Sequence, residues 1–170
     1  MLVISFKSGD IFEEGLNISN AIAIFGYHGL LFETPYKKLQ SEYKELTEIT
    51  KPFDQRPNEL IMFGEKNLYC VPGDLYNDVQ CELSINNILN SCSDKGISSV
   101  AFNRIRDIQK YVFGDKQAKV ESDNNRVKFI IELINNWYNK HKDNTSINLI
   151  LLIAPSDFYT RNFTENIVLD

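Results

Sequence analysis

The sequence predicts an α/β fold, a sheet with helices packed on its faces. Two observations predict it. Apolar runs of strand length, Ala21-Ile22-Ala23-Ile24-Phe25 and Leu149 to Ile153, carry no polar residue, as strands buried on both faces do. Other segments repeat apolar residues every three or four positions, the period of a helix with one buried side. The two kinds alternate three times along the chain, and elements in that order sort into a sheet covered by helices.

The first strand is Leu2 to Phe6, a β-rich apolar run closed by the turn residues Ser8-Gly9-Asp10. The second is Ala21 to Phe25. Gly26-Tyr27-His28-Gly29 then frames a short loop, and Thr34-Pro35 supplies an N-cap and a first-turn proline for a helix whose apolar stripe is Tyr36, Leu39, Tyr43 and Leu46. Pro52 and Pro57 break that pattern. Leu60 to Phe63 and Leu68 to Val71, separated by Gly64-Glu65-Lys66-Asn67, read as a hairpin. After Pro72-Gly73-Asp74 a second helix carries Ile85, Ile88, Leu89 and Cys92 on one side, and Gly96 ends it.

Ser98 to Phe102 is the next strand, followed by the basic run Asn103 to Lys110 and by Tyr111-Val112-Phe113-Gly114. A third helix presents Val127, Ile130, Ile131, Ile134 and Tyr138 on one face. Asn148 to Ile153 is the following strand. Pro155-Ser156-Asp157 opens a polar loop that leads to a short terminal element.

With 170 residues, 43% of them hydrophobic, the chain is expected to form one domain over 1–170 with a substantial core. Lys+Arg 18 against Asp+Glu 23 leaves a net charge of -5, which disfavours broad coating of nucleic acid. Cys70, Cys81 and Cys92 are odd in number and lack zinc-ligand spacing, so a reducing, cytoplasmic setting is expected. No apolar run is of membrane length, and no membrane partner is expected. With only His28 and His141 the supply of imidazole is thin, and neither a metal site nor a cofactor is called for.

In open α/β sheets ligands bind beyond the carboxyl ends of the strands, which singles out the loops after Phe6, Phe25, Phe102 and Ile153. In the first, Asp10 can accept a hydrogen bond from the exocyclic amine of a base, or it can cap the segment that follows; capping is the commoner use of aspartate in turns. In the second, Gly26 and Gly29 permit a close backbone approach to phosphate and equally serve an ordinary turn. In the third, Arg104, Arg106 and Lys110 form a basic cluster in an acidic chain, suited either to phosphate or to pairing with Asp107 and Asp115. In the fourth, Phe158 and Tyr159 can stack on a purine or pack the C-terminal segment beside Phe163.

Taken together, Gly9-Asp10-Ile11-Phe12, the strand Ala21 to Phe25, Leu68-Tyr69-Cys70-Val71, Lys95-Gly96-Ile97-Ser98-Ser99-Val100-Ala101-Phe102, Asn125-Arg126-Val127 through Trp137, and Leu149 to Ile153 resemble the macro domain family over nearly the whole chain. The resemblance implies a three-layer fold, a mixed sheet with helices on both faces. Asn103-Arg104-Ile105 and Tyr36-Lys37-Lys38 look most like the branch of single-domain ADP-ribose glycohydrolases and antitoxins opposing DNA ADP-ribosyltransferases.

The resemblance further implies an ADP-ribose-like nucleotide, or an ADP-ribosylated macromolecule, as partner. Asp10 would meet the adenine amine and Ile11 would make a backbone contact. Gly29 would belong to the first ligand loop, Arg104, Arg106 and Lys110 to the phosphate loop, and Phe158 or Tyr159 would stack on adenine. For removal of ADP-ribose the resembling hydrolases imply a lysine, Lys37 or Lys38, and a carboxylate. The carboxylate position falls near Lys110, with Asp107 the nearest acid. Leu30, Leu31 and Ile108 stand where that family has small residues, and bulky side chains there carry the alternative reading, a filled crevice in a protein-interaction module.

Overall fold

The computed structural model describes residues 1–26, 60–63, 65–72, 77–103, 114–154, 163 and 165–170. Seven strands form one sheet in the order β3-β4-β2-β5-β6-β1-β7. They are β1 (Leu2–Ser8), β2 (Ala21–Gly26), β3 (Leu60–Phe63), β4 (Lys66–Pro72), β5 (Ser99–Asn103), β6 (Leu149–Ala154) and β7 (Ile167–Leu169). β4, β2, β5, β6 and β1 run parallel, whereas β3 and β7 are antiparallel and close the two edges. The sheet is therefore mixed, as the resemblance implies, and its apolar central runs are the ones buried on both faces.

Alternation along each strand divides the apolar side chains between two layers. Ile4, Ala23, Val100, Phe102, Ile150 and Leu152 pack against two helices, α2 (Asp78–Asp94) and α3 (Lys116–His141), in a single core. Ile85, Ile88 and Leu89 of α2 and Ile130, Ile134 and Trp137 of α3 fill that side. On the opposite face Ile22, Leu68, Ala101, Leu151 and Ile153 are buried as well. Part of their cover is a π-helical turn, Ile11–Gly15, that continues into the short helix α1 (Leu16–Ile18). Gly15 sits so close to Ile22 and Ala101 that a Cβ on it would stand 2.9 Å and 3.3 Å from their side chains.

The helix ends follow local chemistry. Asn77 caps α2 by accepting from the N–H groups of Val79 and Gln80 at 3.0 and 3.2 Å. At its other end Gly96 takes φ +69, which lets Ile97 N donate to Cys92 O and Gly96 N to Ser93 O, a Schellman stop. Asp115 caps α3 through Ala118 N at 2.7 Å, so its carboxylate serves the helix as well as any basic partner.

The expected elements that fall among the described residues are present with small shifts. β5 and β6 each begin one residue later than the apolar runs indicate, because Ser98 O receives both Asn148 N and Leu149 N just before the ladder starts. The hairpin ladder is longer than expected and pairs Phe63 with Lys66. α3 extends well beyond its apolar stripe to 26 residues. The π-helical turn and α1 are not visible as a pattern, since Glu13, Glu14 and Gly15 interrupt any apolar period. The helix expected after Thr34-Pro35 lies outside the described residues.

Candidate functional site

The parallel strands end together. Register pairs Ser8 with Ala154, Asn103 with Ile153 and Gly26 with Pro72, which sets the carboxyl ends of β1, β6, β5, β2 and β4 along one edge. Each loop singled out from the sequence leaves the sheet at this edge, so the topology alone gathers them on one side of the molecule.

The described part of that edge is the passage from β1 into the π-helical turn. Gly9 N donates to Ala154 O at 3.0 Å and so extends the β1–β6 ladder by one bond. Gly9 itself takes φ +152, a conformation side chains rarely adopt, and a Cβ there would stand 2.6 Å from Glu14 Cγ. Asp10 follows at once. Its Oδ1 accepts from Glu13 N at 3.2 Å and its main-chain O from Glu14 N at 2.9 Å, so the capping role holds. Ile11 is buried beneath the turn, its Cδ1 3.3 Å from where a Cβ on Gly15 would stand.

Glu14 turns back toward the strand, and its Oε2 meets Lys7 Nζ at 2.7 Å. Sequence reading passed over Lys7, Glu14 and Gly15; only the packing of Gly15 under the sheet was in principle readable, as a glycine amid apolar neighbours. Ser8, at the tip of β1, holds its hydroxyl oxygen buried and without a hydrogen-bond partner among the described residues, a polar group that water or a ligand can complete. Phe6, two residues earlier on the same side of β1, stacks on Phe163 with centroids 5.0 Å apart. The packing of Phe158 and Tyr159 beside Phe163, the alternative to stacking on a base, falls on residues outside the described ones.

Of the residues singled out, Asp10 and Ile11 stand together at this edge. Gly29, Lys38, Arg104, Arg106, Asp107, Lys110, Phe158 and Tyr159 lie outside the described residues, as do Leu30, Leu31 and Ile108.

Away from the edge, α2 and α3 enclose a hollow of about 520 Å³ lined by Asp78, Glu121, Ser122, Asn125, Arg126 and Phe129. Arg126 Nη2 reaches Asp78 Oδ1 at 3.0 Å and the guanidinium lies 5.0 Å over the Phe129 ring. Cys81 is buried beside it. Burial pushes the thiol above its usual range, and the nearby guanidinium partly offsets that rise. These contacts account for Arg126 as a clamp between helices. Further along, Trp137 Nε1 donates to Asn90 Oδ1 at 2.8 Å and the indole stacks on His141 at 4.6 Å. No described helix is long and apolar enough to cross a membrane.

Neither a protein-family model nor a curated protein sequence matches the chain. Solved structures do. A macrodomain of Mycobacterium tuberculosis DarG aligns over 88% of this chain and 96% of its own, with TM-score 0.52 and 10% identity. An Oceanobacillus iheyensis macrodomain mutant with ADPR (ADP-ribose) aligns over 94% and 90%, with TM-score 0.55 and 15% identity. A mutant of tomato leucine aminopeptidase aligns over 95% of this chain at TM-score 0.62 and 7% identity, and the chain spans 34% of that protein's length. The chain has the macrodomain fold.

Proposed function

We propose that residues 1–170 form one macrodomain-like unit that binds ADP-ribose or a related nucleotide across the carboxyl edge of its parallel strands. The observation that carries this reading is the Gly9-Asp10 corner. A glycine at φ +152 and a π-helical turn follow one another at the end of β1, and both are conformations that cluster at functional sites. They bring a carboxylate to the edge where this architecture holds its ligands. A macrodomain with the same layout was solved with ADPR, which supports the same class of ligand here. The fold by itself does not choose the ligand, since a leucine aminopeptidase shares it.

In this reading Asp10 accepts from the adenine amine and Ile11 contributes its backbone. Gly29, Arg104, Arg106 and Lys110 approach the phosphates, and Phe158 or Tyr159 stacks on the base. An arginine forks onto two phosphate oxygens at once, so Arg104 and Arg106 can replace a glycine-rich cradle of N–H groups. Removal of ADP-ribose from a macromolecule is the finer part of the proposal. It assigns Lys38 and Asp107 to the reaction, the acid to orient or deprotonate water and the ammonium to stabilise developing charge.

Calorimetric titration with ADP-ribose, ATP and cyclic nucleotides tests the binding. Heat with ADP-ribose is expected. Silence with every ligand at millimolar concentration overturns it and favours a filled crevice in an interaction module. If ADP-ribose binds, Lys38→Ala and Asp107→Ala should each abolish release of ADP-ribose from a modified DNA or protein; unchanged turnover removes those two assignments.

A further inference from the structure

We infer that Lys7 and Glu14 are the positioning pair for Asp10, and that they thereby set the preference of the site for a base with an exocyclic amine; this rests on the nucleotide reading above.

The chain between these residues is a small closed loop. Lys7 belongs to β1, whose position is fixed by pairing with β6 from Val3↔Leu149 to Ser8↔Ala154. Glu14 belongs to the π-helical turn that Asp10 precedes and caps. The ion pair at 2.7 Å ties the second to the first. Inside the loop, Glu14 N donates to Asp10 O at 2.9 Å and Glu13 N to Asp10 Oδ1 at 3.2 Å, so the turn that Glu14 anchors is the one that orients the Asp10 carboxylate.

Gly9 makes the tie possible. The Glu14 side chain passes where a Cβ on residue 9 would be, 2.6 Å from its Cγ, so any other residue there would force Glu14 to shift. The glycine, the ion pair and the aspartate thus form one device. Its charged members are 38% and 37% exposed, and an ion pair so exposed adds little to global stability. What it can do is fix a direction. A carboxylate accepting from an exocyclic amine loses much of that bond when its angle drifts, because hydrogen bonds weaken steeply off axis.

The test compares ADP-ribose with its hypoxanthine counterpart, in which a carbonyl replaces the exocyclic amine, on the full chain and on Lys7→Met, Glu14→Gln and the exchange Lys7→Glu with Glu14→Lys. The wild-type chain should prefer ADP-ribose. Each single variant should lose about three- to tenfold in ADP-ribose affinity, the range of one hydrogen bond, with little change for the hypoxanthine ligand. The exchanged pair should recover most of the preference. Thermal melting should move by no more than about 2 °C, as for other exposed pairs. Single variants that keep the wild-type preference overturn the inference while leaving nucleotide binding in place. So does an equal loss for both ligands accompanied by a large fall in melting temperature, which marks a merely structural pair. A wild-type chain that binds neither ligand removes the nucleotide reading and this inference with it.

Discussion

Asp78 in the first turn of α2 and Arg126 in the middle of α3 meet at 3.0 Å, and the two partners are unequally placed: the arginine side chain is 10% exposed and the aspartate 71%. The guanidinium also lies over Phe129 and beside Cys81, so it is packed as well as paired. The contact joins two helices that share no covalent connection shorter than β5 and its flanking chain.

Unequal burial predicts unequal cost. Arg126→Ala removes a packed stem and the ring contact together and should destabilise by about 2 kcal/mol, whereas Asp78→Ala removes a solvated carboxylate and should cost about 0.5–1 kcal/mol. Urea denaturation of both variants checks the order. Equal losses would mean that the ion pair, not the packing, dominates.

Two glycines should respond to alanine for different reasons. At Gly15 the added Cβ meets Ile22 at 2.9 Å and Ala101 and Ile11 at 3.3 Å, so Gly15→Ala overpacks the turn against the sheet and should cost about 1–3 kcal/mol. At Gly96 there is open space, but φ is +69, so Gly96→Ala should cost only about 1 kcal/mol of backbone strain. Replacing Gly96 by Asn, which tolerates that conformation, should restore part of the loss, and no such rescue is expected at Gly15.

Alkali should weaken the fold before it weakens most carboxylate-stabilised proteins. Burial raises the Cys92 thiol from 9.0 to about 12, and burial with the neighbouring Cys92 raises the Tyr69 phenol from 10.0 to about 12. Both groups hold their protons more tightly folded than unfolded. Their contribution is therefore fully present below pH 9 and is lost as pH climbs from there toward 12. Denaturation midpoints measured from pH 8 to 11 should fall, and Cys92→Ala, although less stable at pH 8, should show a shallower decline. A parallel decline in both proteins would remove Cys92 as a source.

In the proposed reading Asp10 has two separable roles, the observed cap and a bond to the base. Asp10→Asn keeps an oxygen for Glu13 N but gives up the charge, so stability should change by less than about 0.5 kcal/mol while ADP-ribose affinity falls about tenfold. Asp10→Ala should lose the same affinity and a further ~1 kcal/mol of stability with the cap. Calorimetric binding and thermal melting of the two variants separate the roles; wild-type affinity in Asp10→Asn would leave Asp10 a cap and nothing more.

Much of the fold was legible because burial on two faces leaves a plain mark in a sequence. Ala21 to Phe25 and Leu149 to Ile153 read as central strands, and in the sheet they are β2 and β6, each flanked on both sides. Gly96 read as a helix stop and is one, since few residues other than glycine take its φ. The passage from Ile11 to Ile18 was not legible. A π-helical turn has no apolar period of its own, and its geometry is set by what lies beneath it, Ile22 and Ala101 of two sheet strands.

The candidate site divides the same way. Local chemistry was enough to single out Asp10 as a turn aspartate at the end of a strand, because a carboxylate next to glycine after an apolar run has few other uses. The alternation of apolar runs and amphipathic helices likewise determined the class of fold and the sheet edge at which a ligand is proposed. Only the tertiary structure decided that Glu14 reaches Lys7 beneath Gly9, and that Arg126 reaches Asp78 of α2. Both are side-chain meetings across elements. Such meetings depend on strand register and helix packing, which apolar periodicity specifies for the core and leaves open for the charges around it.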